Sequence, residues 1–109
     1  MPIITVLRYV SESGQEVVTD WLLSLNDRQA RARIETRFFR LAAGNFGDCK
    51  PLRDSVWELR IDWGPGYRVY YAKVGDAIVL LLCGGDKRKQ KVDIERAIHY
   101  LADFKRRTK

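Results

Sequence analysis

Histidine occurs once in this chain, at His99, and cysteine twice, at Cys49 and Cys83. A lone imidazole and two distant thiols give none of the usual ligand spacings, so neither a metal site nor a cofactor is expected. The cysteines lie in unrelated contexts and Cys83 closes an apolar run, which predicts reduced thiols, Cys83 partly buried, in a reducing cytoplasm. Proline is scarce as well, and no linker, internal repeat or low-complexity tract interrupts the 109 residues, so one domain spanning 1–109 is expected. The longest apolar run, Ala77 to Cys83, is far too short to cross a bilayer, and Met1-Pro2-Ile3-Ile4 carries no basic leader. A protein neither exported nor held in a membrane is expected.

What is present is ordinary for a globular protein except in its charge. Apolar residues make up 46% and charged residues 31%, so a packed core is expected rather than disorder. Lysine and arginine total 20 against 14 acids, a net charge of +6. Such an excess suits a polyanion or an acidic protein partner, and charge alone does not choose between them. It is concentrated in Lys87-Arg88-Lys89-Gln90-Lys91 and in Lys105-Arg106-Arg107-Thr108-Lys109.

The apolar periods divide the chain into elements. Ile3 to Tyr9 is β-branched and apolar, a first strand. Ser13 and Glu16 have the spacing of a capping box, and Val17, Val18, Trp21, Leu22 and Leu25 follow at helical intervals. Asn26 is placed to cap a second helix over about Asp27 to Ala43, with Ala30, Ile34, Phe38 and Leu41 inward, Arg33, Arg37 and Arg40 outward, and Gly44 at its end. A loop through Phe46-Gly47-Asp48 and Pro51 leads to alternation of Trp57, Leu59 and Ile61 with Glu58, Arg60 and Asp62. Trp63-Gly64-Pro65-Gly66 is turn chemistry, so Tyr67 to Tyr71 returns as the second arm of a hairpin. Ala77 to Cys83 is apolar on both faces, an interior strand. A last helix begins near Lys89 with Ile94, Ala97, Ile98, Leu101 and Phe104 on one stripe.

Chemistry concentrates on the hairpin. Period-two geometry puts Glu58 and Arg60 on one face of their strand and Arg68 and Tyr70 on one face of the next. Two guanidiniums, a carboxylate and a phenol gathered on one surface suit a phosphodiester, since arginine grips phosphate with a planar fork and rings stack on bases. Alternating charge is equally the pattern of a solvated sheet face with a cross-strand Glu58–Arg68 ion pair, and alternation leaves both readings open. Gly84-Gly85 lacks nucleotide-loop spacing and reads as a tight turn, His99 as a helix-edge surface residue, and the Arg33, Arg37, Arg40 stripe as a solvated helix face.

Val56-Trp57-Glu58-Leu59-Arg60-Ile61, Gly64-Pro65-Gly66-Tyr67-Arg68-Val69-Tyr70-Tyr71 and Leu81-Leu82-Cys83-Gly84-Gly85-Asp86-Lys87 together resemble the addiction-module killer proteins, a HigB-like branch of the RelE/ParE toxin superfamily. The likeness covers nearly the whole chain in element order. It implies an α+β fold, order β-α-α-β-β-β-α, with helices packed on a small, mostly antiparallel sheet. It also implies the toxin of a type II toxin–antitoxin pair, a metal-independent endoribonuclease that cuts mRNA at the ribosome and is neutralised by a small helix-turn-helix antitoxin. By position Arg60, Arg68 and Lys87 match the cations of the family's active face. Glu58 stands where RelE proper has a lysine, and Asp93 where it has a tyrosine. The expected division of labour gives charge stabilisation to Arg68 and Arg60, proton removal to Glu58 or Asp93, leaving-group assistance to Lys87, and RNA contacts to Tyr70, Arg88, Lys89 and Lys91. ParE-type inhibitors of DNA gyrase share the fold, and a non-toxic, partner-binding remnant of a phage or plasmid is a third reading.

Overall fold

A computed structural model describes residues 3–108 of the chain. Met1 and Pro2 of the N-terminal stretch and Lys109 of the basic tail lie outside the described residues. The order is β1 (Thr5–Arg8), α1 (Val17–Ser24), α2 (Arg28–Ala42), β2 (Cys49–Pro51), β3 (Trp57–Ile61), β4 (Tyr67–Gly75), β5 (Ile78–Asp86), a 3₁₀ turn (Lys87–Lys89) and α3 (Gln90–Arg107). The expected α+β class is what the chain forms. Its sheet runs β1-β5-β4-β3-β2, with β1 parallel to β5 and every other pair antiparallel.

The order differs from expectation by one strand. The stretch read as a loop before the hairpin contains β2, which pairs Cys49 with Leu59 and Pro51 with Trp57 at the sheet edge. Three residues are too few for alternation to be visible, and proline is tolerated there because an edge strand need not donate on both sides.

Both helix starts also differ from the predicted caps. α1 begins at Val17 with no side-chain cap, because Ser11 to Gln15 closes into a turn of its own: Ser11 N–H donates to Gln15 O and Gly14 N–H to Ser11 O. Ser13 is therefore upstream of the helix, its hydroxyl against that of Ser11. At α2 the cap is Asp27, one residue after Asn26, whose Oδ1 accepts from Gln29 N and Ala30 N. Its Oδ2 accepts from the Trp63 indole at 3.0 Å, so one carboxylate both starts the helix and tethers the hairpin turn. That indole bond, with the two amides, draws the Asp27 carboxyl below the usual aspartate range.

Each face of the sheet has its own core. Val18, Leu22, Ala30, Ile34, Phe38 and Leu41 of α1 and α2 pack on Leu59, Val69, Tyr71, Val79 and Leu81. On the opposite face Ala97 and Leu101 of α3 pack on Tyr70, Ala72, Leu80, Leu82 and Cys83. β5 lies between the two layers and is buried from Val79 to Gly85, as its two-sided apolar run implies. Among the described residues no helix is long and apolar enough to cross a membrane.

The register of β4 with β5 slips between Tyr70 and Tyr71, where Cys83 and Leu81 are the respective partners, so Leu82 is an extra residue. The bulge resets the alternation, turning Gly84 toward α1 and Gly85 toward α3. The glycine pair read as a tight turn is thus part of the strand, and its reason is close approach. A Cβ on Gly84 would sit 2.3 Å from the Trp21 ring, and one on Gly85 would sit 1.9 Å from Asp93 Oδ2.

Gly84→Ala is expected to destabilise the fold by about 1–3 kcal/mol, the usual cost of overpacking a tight core. A urea midpoint equal to that of the unmodified protein would show that Trp21 moves aside freely.

Candidate functional site

The hairpin meets the end of β5 at an open cleft of about 500 Å³ lined by Asp48, Arg60, Asp62, Gly64, Pro65, Gly66, Arg68 and Lys87. Pairing places Arg60 directly opposite Arg68, and Arg68 opposite Gly85. Lys87 joins them because its backbone N–H donates to Gly66 O at 2.8 Å, tying the start of the 3₁₀ turn to the hairpin turn. Gly66 has a positive φ of 82°, which permits this turn without side-chain strain. Three cations distant in sequence therefore share one depression.

Their environments differ. Arg60 is held by Asp48, with Nε and Nη2 donating to Oδ1 at 3.1 and 2.7 Å, and this pairing raises its pKa further. Arg68 has only 13% of its side chain exposed, and its Nη1 donates to Tyr67 O at 3.1 Å. Among the described residues Lys87 forms no ion pair, and neither does Asp62 on the same cleft.

The remaining predicted residues are not in the cleft. Glu58 and Tyr70, opposite each other on the same face as Arg60 and Arg68, are 0% exposed because α3 lies across that half of the sheet. A ring in that position cannot stack on a base, so the expected RNA contact by Tyr70 is corrected. Asp93, in the first turn of α3, is 2% exposed and pairs with Arg96 at 3.1 Å. The two carboxyls expected to remove a proton are thus beneath the helix instead of on the open face. The expectation of one continuous polar surface fails for a plain reason: half of that surface is an interface.

Arg88, Lys89 and Lys91 are exposed beside Lys87, Arg88 being paired with Asp86 at 3.1 Å. Asp86 also accepts from Arg88 N, capping the 3₁₀ turn, and these bonds draw its carboxyl down. Other cations are structural. Arg37, placed by periodicity on the outward face of α2, is half-buried and donates to the carbonyls of Arg60, Phe46 and Asp48, tying the loop before β2 to β3. Arg33 lies over the Trp63 ring at 3.9 Å, and Arg40 stays exposed. In the C-terminal run, Arg107 pairs with Asp103 at 2.7 Å and Arg106 with Glu12 at 2.7 Å. The Tyr9 hydroxyl, first, and Arg107 hold the Asp103 carboxyl at about 2. His99 is exposed on α3.

Asp48 and Gln90 had no distinguishing spacing in the sequence. Asp62 stood out only as the next polar residue in the β3 alternation. Burial pushes the Cys83 thiol up to about 12, an inert environment for sulfur. Among the described residues, no three histidine, cysteine or acidic side chains gather as metal ligands.

A model of the family described as phage-derived protein Gp49-like (DUF891) matches residues 20–103, a span from α1 to α3 that contains the cleft. The chain belongs to this family, which is a RelE-like toxin family. It is also similar to an uncharacterized protein of Haemophilus influenzae, 51% identical over 77 residues, which is 71% of this chain and 78% of that protein.

Burial holds the Asp93 carboxyl above its ordinary value of 3.8, with Arg96 pulling in the opposite direction. A raised acid keeps its proton in the folded state at pH values where the unfolded chain has released it. The cost of the buried charge is therefore absent below the ordinary value and complete once pH has risen through the folded one. The stability of the unmodified protein relative to Asp93→Asn is expected to fall as pH rises across that window, read as the difference in urea midpoints. A difference independent of pH would show that the Asp93 charge is fully compensated.

Proposed function

We propose that this chain is the toxin of a type II toxin–antitoxin pair of the HigB-like kind, an endoribonuclease that cuts mRNA at the ribosome. The observation that supports this reading best is the meeting of Arg60, Arg68 and Lys87 around one open cleft, in a member of a RelE-like toxin family. A guanidinium fork is shaped for two phosphate oxygens, and a cleft bordered by two guanidiniums and an ammonium favours an anion whose charge grows during reaction, Arg60 turning from Asp48 to meet it.

The reaction consistent with these groups is attack of an RNA 2′-hydroxyl on the adjacent phosphorus. The 2′-oxygen forms a bond to phosphorus, the bond to the 5′-oxygen breaks, and the products end in a 2′,3′-cyclic phosphate and a 5′-hydroxyl. Arg68 and Arg60 stabilise the charge on the non-bridging oxygens. Lys87, tied to the hairpin turn through Gly66, is the cation that donates a proton to the departing 5′-oxygen. In this reading Asp62, which lines the cleft, takes the 2′-hydroxyl proton, since Asp48 is engaged by Arg60 and Glu58 and Asp93 lie under α3. Exposed Arg88, Lys89 and Lys91 extend the positive surface along the strand that enters.

The antitoxin, in this reading a small helix-turn-helix protein encoded beside the toxin, neutralises it by laying an acidic segment over the cleft. Charge complementarity both steers that association and excludes RNA.

Mapping RNA 5′ ends after induction tests the reading directly: cleavage within translated codons is expected. Arg68→Ala is expected to reduce cleavage by about 10²- to 10³-fold, the usual loss for one donor to a developing oxyanion. Growth arrest with intact mRNA and relaxed plasmid DNA would transfer the target to gyrase. In binding to an uncleavable single strand, the slope of log affinity against log salt is expected to become shallower by about 0.7 for each of Arg68→Ala and Lys87→Ala. An unchanged slope would place the phosphate elsewhere.

A further inference from the structure

Four buried polar atoms on the α3 face of the sheet have no hydrogen-bond partner among the described residues: Glu58 Oε1, Arg68 Nε, Tyr70 Oη and Asp93 Oδ2. Buried polar atoms are nearly always paired, so a group of four calls for a physical reason. They are neighbours by construction. Glu58 is opposite Tyr70, Arg68 is opposite Gly85, and Asp93 rests on Gly85.

Two of the four face each other. Arg68 Nε is 3.8 Å from Glu58 Oε1, an ion-pair distance too long for a hydrogen bond. The second carboxyl oxygen, Oε2, accepts from Gln90 Nε2 at 2.5 Å, and Gln90 is the first residue of α3. Arg68 thus has its inner nitrogen toward a fully buried carboxyl fixed from behind, while the same side chain lines the open cleft.

We infer that Glu58, held by Gln90, is a positioning residue that takes the Arg68 Nε–H and so aims the guanidinium's terminal nitrogens at a phosphate in the cleft. This rests on the reading of the cleft as an RNA site. A settling of the guanidinium by roughly 1 Å closes the pair to the 2.7–2.9 Å usual for a charge-assisted hydrogen bond. An arginine held at Nε keeps its terminal nitrogens in one orientation, which counts most where charge grows on the non-bridging oxygens, so the gain falls on the reacting state rather than on ground-state binding. Glu58 touches neither solvent nor the cleft, which separates this role from that of a base.

Glu58→Gln and Gln90→Ala test the inference by two independent readouts. In single-turnover cleavage, Glu58→Gln is expected to lose about tenfold to a hundredfold and Gln90→Ala a few-fold, with affinity for a 2′-deoxy-substituted, uncleavable RNA held within about threefold. In an Arg68→Ala background neither change is expected to cost more, and the pH–rate profile is expected to keep both limbs. In ¹⁵N–¹H spectra of the protein alone, the Arg68 Nε–H is expected to exchange slowly with solvent, and faster in both variants. Undiminished cleavage, a loss that adds to that of Arg68→Ala, or disappearance of the acid limb in Glu58→Gln would overturn the positioning role, the last by making Glu58 the base. If Glu58→Gln does not fold, Gln90→Ala carries the same comparisons. Should the protein cut no RNA, a protected Arg68 Nε–H that depends on Glu58 would sink only the RNA reading. An Nε–H indifferent to both substitutions would sink the positioning itself.

Discussion

Two consecutive strand residues without side chains set the distance at which the layers of this protein meet. Gly84 receives the Trp21 ring of α1 from one side, and Gly85 receives the Asp93 carboxyl of α3 from the other. Any Cβ at either position would hold a helix off the sheet. Because α3 comes down over Gly85, Gln90 reaches Glu58, and the 3₁₀ turn before the helix brings Lys87 to the hairpin turn. The bulge at Leu82 is part of the same device, since without the extra residue the two glycines would face the wrong helices.

That contact divides one sheet face into two electrical environments. Beneath the helix, Glu58, Tyr70 and Asp93 are shut away from water, and burial raises the Tyr70 hydroxyl and the Asp93 carboxyl above their ordinary pKa values. Beyond the helix, Arg60, Arg68 and Lys87 border an open cleft. Arg68 belongs to both, which makes it the natural link between the buried network and whatever anion enters. Much of the remaining positive charge is already committed. Arg37 satisfies loop carbonyls, Arg33 covers Trp63, and Arg106 and Arg107 bind the end of α3 to the segment after β1. Net charge is therefore a poor guide to where a polyanion binds here, and the convergence of Arg60, Arg68 and Lys87 on one cleft is a better one.

Much of the architecture was legible from periodicity. The interior strand at Ala77 to Cys83, the helical stripe at Ala97 and Leu101 and the Trp57, Leu59, Ile61 alternation each reflect apolar surface that must be buried, and burial is what a repeat of 3.6 or 2 encodes. Features decided by a few backbone bonds were not legible. Ser13 and Asn26 are both respectable capping residues, yet neither caps a helix: Ser13 falls in the turn closed by Gly14, and the carboxylate of Asp27 takes the place at α2 while it holds Trp63. β2 is too short to show a pattern, and the glycine pair looks like a turn because sequence does not display what approaches a backbone.

The sequence by itself determined the class of fold, the hairpin, the family likeness and which cations could meet, because strand alternation assigns every residue of β3 and β4 to one of two faces. It could not determine what covers each face. Whether Glu58 and Arg60, two residues apart on one side of a strand, share a fate depends on where α3 ends its contact with the sheet, and that is a property of packing between elements thirty residues apart, roughly, in the chain. Tertiary structure alone placed Arg60 in the cleft and Glu58 behind it, and so turned an ambiguous row of charges into a site with an exposed cationic front and a buried acidic support.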